Sequence, residues 1–444
     1  MPGADSREIA LQVLLDYQRK DAYLNTLLAS RLGGSGLDRR DRAFVTELVQ
    51  GTVRMLGTLD FTLGFFSDRP LDELDPWLLW ILRIASYQVM FTLVPDYAAC
   101  DTAVESAKGR VGQGKASYVN GVLRALIRGK DDVRYPDPRE DPCGYLEARH
   151  SHPRWVAEMW IAEMGFERAE SICAADNRPP LTSLRCNLQM TRRDSLATSL
   201  KGDGFEVILS GLAPEGLLVT GGGAIGETDE YRAGYFALQD QGSMMVGHAV
   251  SPEPGMQVLD MCAAPGGKAN HLAELMGNRG RVLALDINPR RLEQVLESAS
   301  RLGNSAIQAR EADAASVSGL INDRFDRVLL DAPCSGLGTL GRRPDIRWRK
   351  LPGDIERLAG LQRFLMEEAS IMVREGGRLI YSTCTISERE NRGVVSSFLE
   401  NHPEFAPVDA NPIVQDHREP PFFQLFPDAD GCDGVFIAVM RRNA

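Results

Sequence analysis

Val258-Leu259-Asp260-Met261-Cys262-Ala263-Ala264-Pro265-Gly266-Gly267-Lys268 is the stretch that decides the fold. A short apolar run ends in an acid, a glycine pair follows, and residues with helical spacing come next. That order reads as strand, tight loop and helix. Two later stretches repeat its first half. The runs Arg327 to Leu330 and Arg378 to Tyr381 end in Asp331-Ala332-Pro333-Cys334 and Ser382-Thr383-Cys384-Thr385. Working outward, strands are expected at Gln257 to Asp260, Val282 to Asp286, Ala306 to Ala309, Arg327 to Asp331 and Gly377 to Tyr381. Helices are expected at Lys268 to Met276, Pro289 to Leu302, Asp354 to Arg374 and Ser387 to Glu400. Strands alternating with helices require right-handed crossovers and a parallel sheet. Phe405 to Val408 and Gly434 to Met440 read as edge strands.

Loops at the strand ends of an open parallel sheet point into one crevice. Gly266-Gly267 allows close approach of backbone to a ligand, with a helix N-terminus just behind. The loop is not GxGxxG, so a dinucleotide is a poor fit. Asp286 ends the second strand, where a carboxylate can accept from ribose hydroxyls. Asp313 follows the third strand, within reach of an adenine amine, and Asp331 ends the fourth. Any one of these acids could simply cap the next helix. Three of them beside a glycine loop point instead to a carboxylate-lined crevice for a cationic sulfonium donor, S-adenosylmethionine.

Cys334 and Cys384 enter the same crevice. C5 of cytosine is a poor nucleophile, and a thiolate adding at C6 turns it into an enamine carbon able to take a methyl group. Such covalent catalysis needs an accessible thiolate and an acid near N3, for which Asp331 is the candidate. Spacing does not decide which thiol attacks. Cys100, Cys173 and Cys186 read as small buried hydrophobes. Methylation of an amino group is disfavoured, since Asp-Ala-Pro-Cys stands where an Asn/Asp-Pro-Pro-aromatic loop would grip the amine.

The rest of the chain is organised differently. Its 444 residues leave room for two or three domains. Residues 1–130 read as all-helical, with Asp75 capping and Pro76 opening a helix that runs from Trp77 to Val94. That helix is the most apolar stretch, but Arg83, Ser86 and Gln88 make it a core helix and not a membrane span. A proline-rich linker, Gly129 to Pro142, leads to a small α/β module over 143–240, expected to bind RNA, and 241–444 form the sheet domain. Eight cysteines without a CxxC pair or nearby histidines argue for reduced thiols, with neither a disulfide framework nor a metal site. The polar N-terminus reads as lacking a signal peptide, and a cytoplasmic monomer without a membrane partner is expected.

The net charge of -11 argues against generic nucleic-acid affinity. Locally, Arg342, Arg343, Arg347, Arg349 and Lys350 surround Trp348, opposed by Asp345 alone. This is either a solvated loop or a phosphate-facing patch with an aromatic for base stacking, and its place just after the Asp331–Cys334 loop favours the second.

Together, CAAPGGK at Cys262 to Lys268, LALD at Leu283 to Asp286, DAPCSGLG at Asp331 to Gly338, RRPDIRW at Arg342 to Trp348 and YSTCTI at Tyr381 to Ile386 resemble the RNA cytosine-5 methyltransferase family. The likeness is to its bacterial RsmB (Fmu/Sun) type, which modifies small-subunit (16S) ribosomal RNA, and spans about residues 6 to 442. Arg39 to Phe44, Leu48 to Arg54 and Tyr118 to Arg124 are similar to the NusB-like RNA-binding domain of that type. The resemblance implies a Rossmann-like methyltransferase domain behind an all-α NusB-like domain. It implies that Cys262, Ala263, Ala264, Pro265, Gly266, Gly267, Lys268, Asp286, Asp313 and Asp331 bind S-adenosylmethionine. It implies Cys384 as nucleophile and Cys334 as the group that assists product release. Ala269 stands where the family often has threonine, and Ser387 to Asn391 replaces a proline-containing turn. A non-catalytic RNA-binding assembly factor, or the same chemistry on transfer RNA, are the alternatives.

Overall fold

The computed structural model describes residues 6–409 and 422–443, which divide into two compact units. The first holds residues up to Arg178 together with Leu340–Arg349, and the second holds Pro179–Thr339 and the chain from Lys350 on.

The first unit is helical: Ser6–Arg19, Leu24–Leu32, Arg39–Arg54, Leu56–Phe66, Pro76–Phe91, Asp96–Val111, Gln113–Gly129, Pro142–His150, Arg154–Met164 and Phe166–Asp176. The apolar helix begins as its sequence requires, with the Asp75 carboxylate accepting from the Trp77 amide at 2.9 Å and Pro76 in the first turn. It is buried on nearly every side, from Leu78 to Val89, which explains a composition that is apolar all round. No helix among the described residues is long and apolar enough to cross a membrane.

Leu340–Arg349 also belongs to this unit, and it corrects part of the expected phosphate-facing patch. Arg347 is fully buried, and its Nη1 donates to the Ser151 carbonyl at 2.9 Å and to Asn177 Oδ1 at 3.0 Å. Trp348 Nε1 donates to the Val53 carbonyl at 2.8 Å, and Asp345 accepts from the Leu24 amide at 3.1 Å. These side chains are engaged by backbone and side-chain partners inside the helical unit, and burial draws the Arg347 guanidinium down to about 10. Arg343 is exposed and Arg342 half-buried.

The second unit opens with an antiparallel sheet of β1 (Thr182–Cys186), β2 (Phe205–Leu209), β3 (Gly216–Gly221) and β4 (Phe236–Leu238), ordered β2-β3-β1-β4. Leu196, Ala197 and Leu200 of helix Arg193–Gly202 pack on Leu184, Phe205, Leu217 and Phe236. The main sheet follows with β5 (Gln257–Asp260), β6 (Arg281–Asp286), β7 (Ile307–Glu311), β8 (Phe325–Asp331), β9 (Val373–Thr383), β10 (Phe405–Pro407), β11 (Phe422–Gln424) and β12 (Phe436–Arg442). Its order is β10-β12-β9-β8-β5-β6-β7. The five strands β5 to β9 are parallel, as the alternation requires, whereas β12 lies antiparallel to β9 and carries β10 and β11, so the strand expected at Gly434 to Met440 is an interior strand and not an edge. Between β5 and β8 the strand order reverses, and a crevice opens at such a point.

Helix Pro289–Leu302 shows how sequence sets these crossovers. Asn288 caps the Arg290 and Arg291 amides, Leu292, Val295, Ala299 and Leu302 form one buried stripe, and Gly303 closes the helix at φ +72°. Each large aliphatic buried there contributes about 1.5–3 kcal/mol over exposure.

Candidate active site

Strands β5 and β8 pair in parallel, so their C-terminal loops are neighbours. The loop after β5 carries Cys262 to Lys268. Gly266 adopts φ +105°, and a Cβ there would stand 3.0 Å from the Val295 Cα, so both conformation and space require glycine. Helix Gly267–Leu275 begins at once, leaving first-turn amides without intrahelical partners. Three of the loop's carbonyls accept hydrogen bonds from side chains: Ala264 from Arg291 at 2.6 Å, Gly266 from Asn270 at 2.8 Å and Gly267 from Arg185 at 2.8 Å.

Asp331 at the end of β8 accepts from Lys268 Nζ at 2.7 Å through one oxygen and from the Ser382 hydroxyl at 2.7 Å through the other. The Lys268 ammonium is held above its usual range. Burial works against it, and the charges of Asp331 and of a Cys384 thiolate outweigh burial. Asp260, at the end of β5, is fully buried, and only a weak contact with the Cys262 amide meets its carboxyl. Burial first, then the Asp331 charge, pushes its carboxyl up to about 7. Asp286 is 6% exposed, caps the Asn288 amide at 2.9 Å and lies 3.4 Å from Arg291 Nη1. Asp313 is exposed, and its carboxylate accepts from the Ala315 amide at 2.9 Å. Both acids therefore do cap the turns that follow β6 and β7.

The two thiols meet. Asp331 of β8 pairs with Ser382 of β9, and the loops beyond them bring Cys334 Sγ to 3.3 Å from Cys384 Sγ. Contact with the Cys384 sulfur, then burial, holds the Cys334 thiol well above its ordinary range. Cys100, Cys173 and Cys186 are buried elsewhere, as their sequence contexts imply.

Sequence reasoning missed what fixes these loops. Glu390 is fully buried and accepts from the Ser335 amide at 2.8 Å and from Gln362 Nε2 at 3.0 Å. Thr385 bonds Ser335 side chain to side chain at 2.8 Å, and Asn391 Nδ2 donates to the Thr385 carbonyl at 3.0 Å. One carboxylate thus ties the residues next to both cysteines. This also corrects the expected helix at Ser387 to Glu400. The helix is Arg392–Asn401, because Glu390 and Asn391 are spent on the Cys384 loop. Nothing in local sequence distinguishes an acid that reaches across two loops from a solvated one.

Comparison with known proteins agrees with this architecture. The profile of the 16S rRNA methyltransferase RsmB/F family matches residues 248–441, that of the NusB family residues 4–128, and that of the RsmF/B-like ferredoxin-like domain residues 152–226. The chain is 39% identical to the probable ribosomal RNA small subunit methyltransferase B of Bacillus subtilis, covering 100% of each chain. It is 36% identical to the protein of the same name from Synechocystis, covering 98% of this chain and 99% of that one. The crystal structure of PH0851 superposes with a TM-score of 0.83 at 26% identity, over 100% of this chain and 99% of that one. The chain belongs to the ribosomal RNA small subunit methyltransferase B family.

Proposed function

We propose that this chain methylates C5 of a cytidine in small-subunit (16S) ribosomal RNA, with S-adenosylmethionine as donor and a transient Cys384–C6 bond. The observation that carries the reading is the meeting of two thiols at 3.3 Å beside the Lys268–Asp331 pair, at the strand-order reversal. The residues fit the donor. Gly266, at φ +105°, turns the loop backbone into the first turn of helix Gly267–Leu275, and the buried Asp260, which keeps its proton up to about 7, would be drawn to its charged form by a cationic neighbour. Cys262 to Lys268 with Asp286, Asp313 and Asp331 would hold it. When bound, it supplies an electrophilic methyl group.

The chain's own groups divide the remaining work. The Lys268 charge lies within electrostatic reach of Cys384 and favours its thiolate, which supports Cys384 as the attacking sulfur. Its addition to C6 pushes electron density to N3, where Asp331, taking a proton from the Lys268 ammonium it binds at 2.7 Å, would pass that proton to the ring nitrogen. After transfer, a base takes the C5 proton, the C5–H electron pair re-forms the C5–C6 double bond, and Cys384 leaves C6 as a thiolate. Cys334, kept as a thiol, is placed to assist that release. The target base would be extruded from its stack to reach the crevice. The helical domain and exposed Arg343 would hold flanking RNA, and the enzyme acts as a cytoplasmic monomer.

Tritium release tests the reading. Ribosomal RNA from cells lacking this gene, labelled at C5 of cytidine, should release tritium on incubation with the enzyme and S-adenosylmethionine. Methyl transfer without tritium release would place the methyl elsewhere and overturn it.

A further inference from the structure

Arg185 lies in the small module, on β1, remote in sequence from every motif above, and it is fully buried. Its guanidinium forks onto Glu274, with Nε to Oε2 at 3.0 Å and Nη2 to Oε1 at 2.6 Å. Its remaining nitrogen, Nη1, donates to the Gly267 carbonyl at 2.8 Å and to the Gln239 side chain. Glu274 and Gly267 are the two ends of the helix that follows the cofactor loop. One side chain therefore fixes both where that helix starts and how it is rotated. A planar fork with five donors can do this, and a lysine ammonium cannot.

A second contact from the same module grips the same helix. Glu215, in the turn before β3, lies 3.0 Å from His271 Nε2 and 3.0 Å from His248 Nε2, all three buried. Gly247 makes room, since a Cβ there would stand 2.3 Å from the His271 ring. Glu215, His248 and His271 form a carboxylate-and-two-imidazole set of the kind that can hold zinc, but the buried Arg185 guanidinium, whose charge is felt at His271, opposes a cation there and leaves the three as a clamp.

We propose that Arg185 is a positioning residue for donor binding, so that the small module serves as a brace for the cofactor helix. This rests on the reading that the Cys262–Lys268 loop binds S-adenosylmethionine. By taking the Gly267 carbonyl, Arg185 fixes that peptide at the start of the helix. Loss of the fork should loosen the loop and weaken the donor site, leaving the thiols and the RNA-facing surfaces in place.

The test compares wild type with Arg185→Lys, Glu274→Gln and the control Glu206→Ala, which alters an exposed residue of the same module. Titration calorimetry measures S-adenosylmethionine binding, and kinetics measure KM for the donor against kcat. Arg185→Lys should raise Kd and KM for the donor about tenfold, as expected for losing one charge-assisted fork. Its kcat at saturating donor and its RNA affinity should stay within about twofold of wild type, and Glu206→Ala should change nothing. If Arg185→Lys does not fold, Glu274→Gln carries the test and should raise Kd at least threefold. Failure of wild type to bind the donor would sink the loop reading itself. Binding by wild type with an unchanged Kd in a folded variant would overturn the brace alone. So would a fall in kcat at constant KM, which marks loss of folded enzyme only.

Discussion

Asp260 and Glu390 are both fully buried acids in this unit, yet their surroundings differ. Glu390 is hydrogen-bonded to both cysteine loops, whereas only a weak contact with the Cys262 amide meets Asp260. The Asp260 carboxyl is pushed up to about 7 from 3.8, so between those values the folded chain holds a proton that the unfolded chain has released. Stability from this group therefore falls as pH rises through that window. Asp260→Asn should match wild type in urea unfolding at pH 4 and exceed it at pH 8, while binding the donor more weakly at pH 8. An equal difference at both pH values would show that Asp260 does not titrate in this window. At this scale the sequence was legible where chemistry is concentrated in motifs: Cys334, Cys384, Asp331 and Lys268 do come together. Glu390, Gln362 and Arg185 were not legible, since each acts through contacts tens of residues away.

At the scale of elements, periodicity served well. Short continuous apolar runs located the parallel strands, because burial on both faces removes alternation, and helical spacing located their crossovers. They missed β11, whose three residues are too few to show a period, and they ran the helix after Cys384 too far upstream. The glycines of the Asp331–Gly338 motif have a function that no period reveals. Gly338 donates to the Cys384 carbonyl at 3.0 Å and accepts from the Gly434 amide at 2.7 Å, tying the Cys384 loop to the segment that leads into β12. A Cβ at Gly338 would lie 2.1 Å from the Gly434 carbonyl oxygen, which is backbone and cannot swing away. Gly338→Ala should cost about 1–3 kcal/mol in thermal unfolding and lower turnover with donor affinity kept. Undiminished turnover would show that the lock is not needed to aim the sulfur.

At the scale of the whole molecule, composition and linker proline placed a helical part, a small module and a sheet domain in the right order. The segment Leu340–Arg349 escaped this reading, since contacts and not sequence order assign it to the helical unit. Arg347 and Trp348 looked like RNA-facing residues because charge and aromaticity in sequence do not reveal which carbonyls they will meet inside. The helices Pro142–His150 to Phe166–Asp176 likewise fall into the helical unit by contact. What unites the molecule is the claim that RNA becomes covalently attached to it during turnover, and trapping tests that claim most directly. Incubated with S-adenosylmethionine and ribosomal RNA carrying 5-fluorocytidine, whose C5 fluorine cannot leave as a proton does, the enzyme should form an adduct that survives denaturing electrophoresis. Cys384→Ala should form none, whereas Cys334→Ala should still form it. An adduct that persists without Cys384 and vanishes without Cys334 would contradict the account.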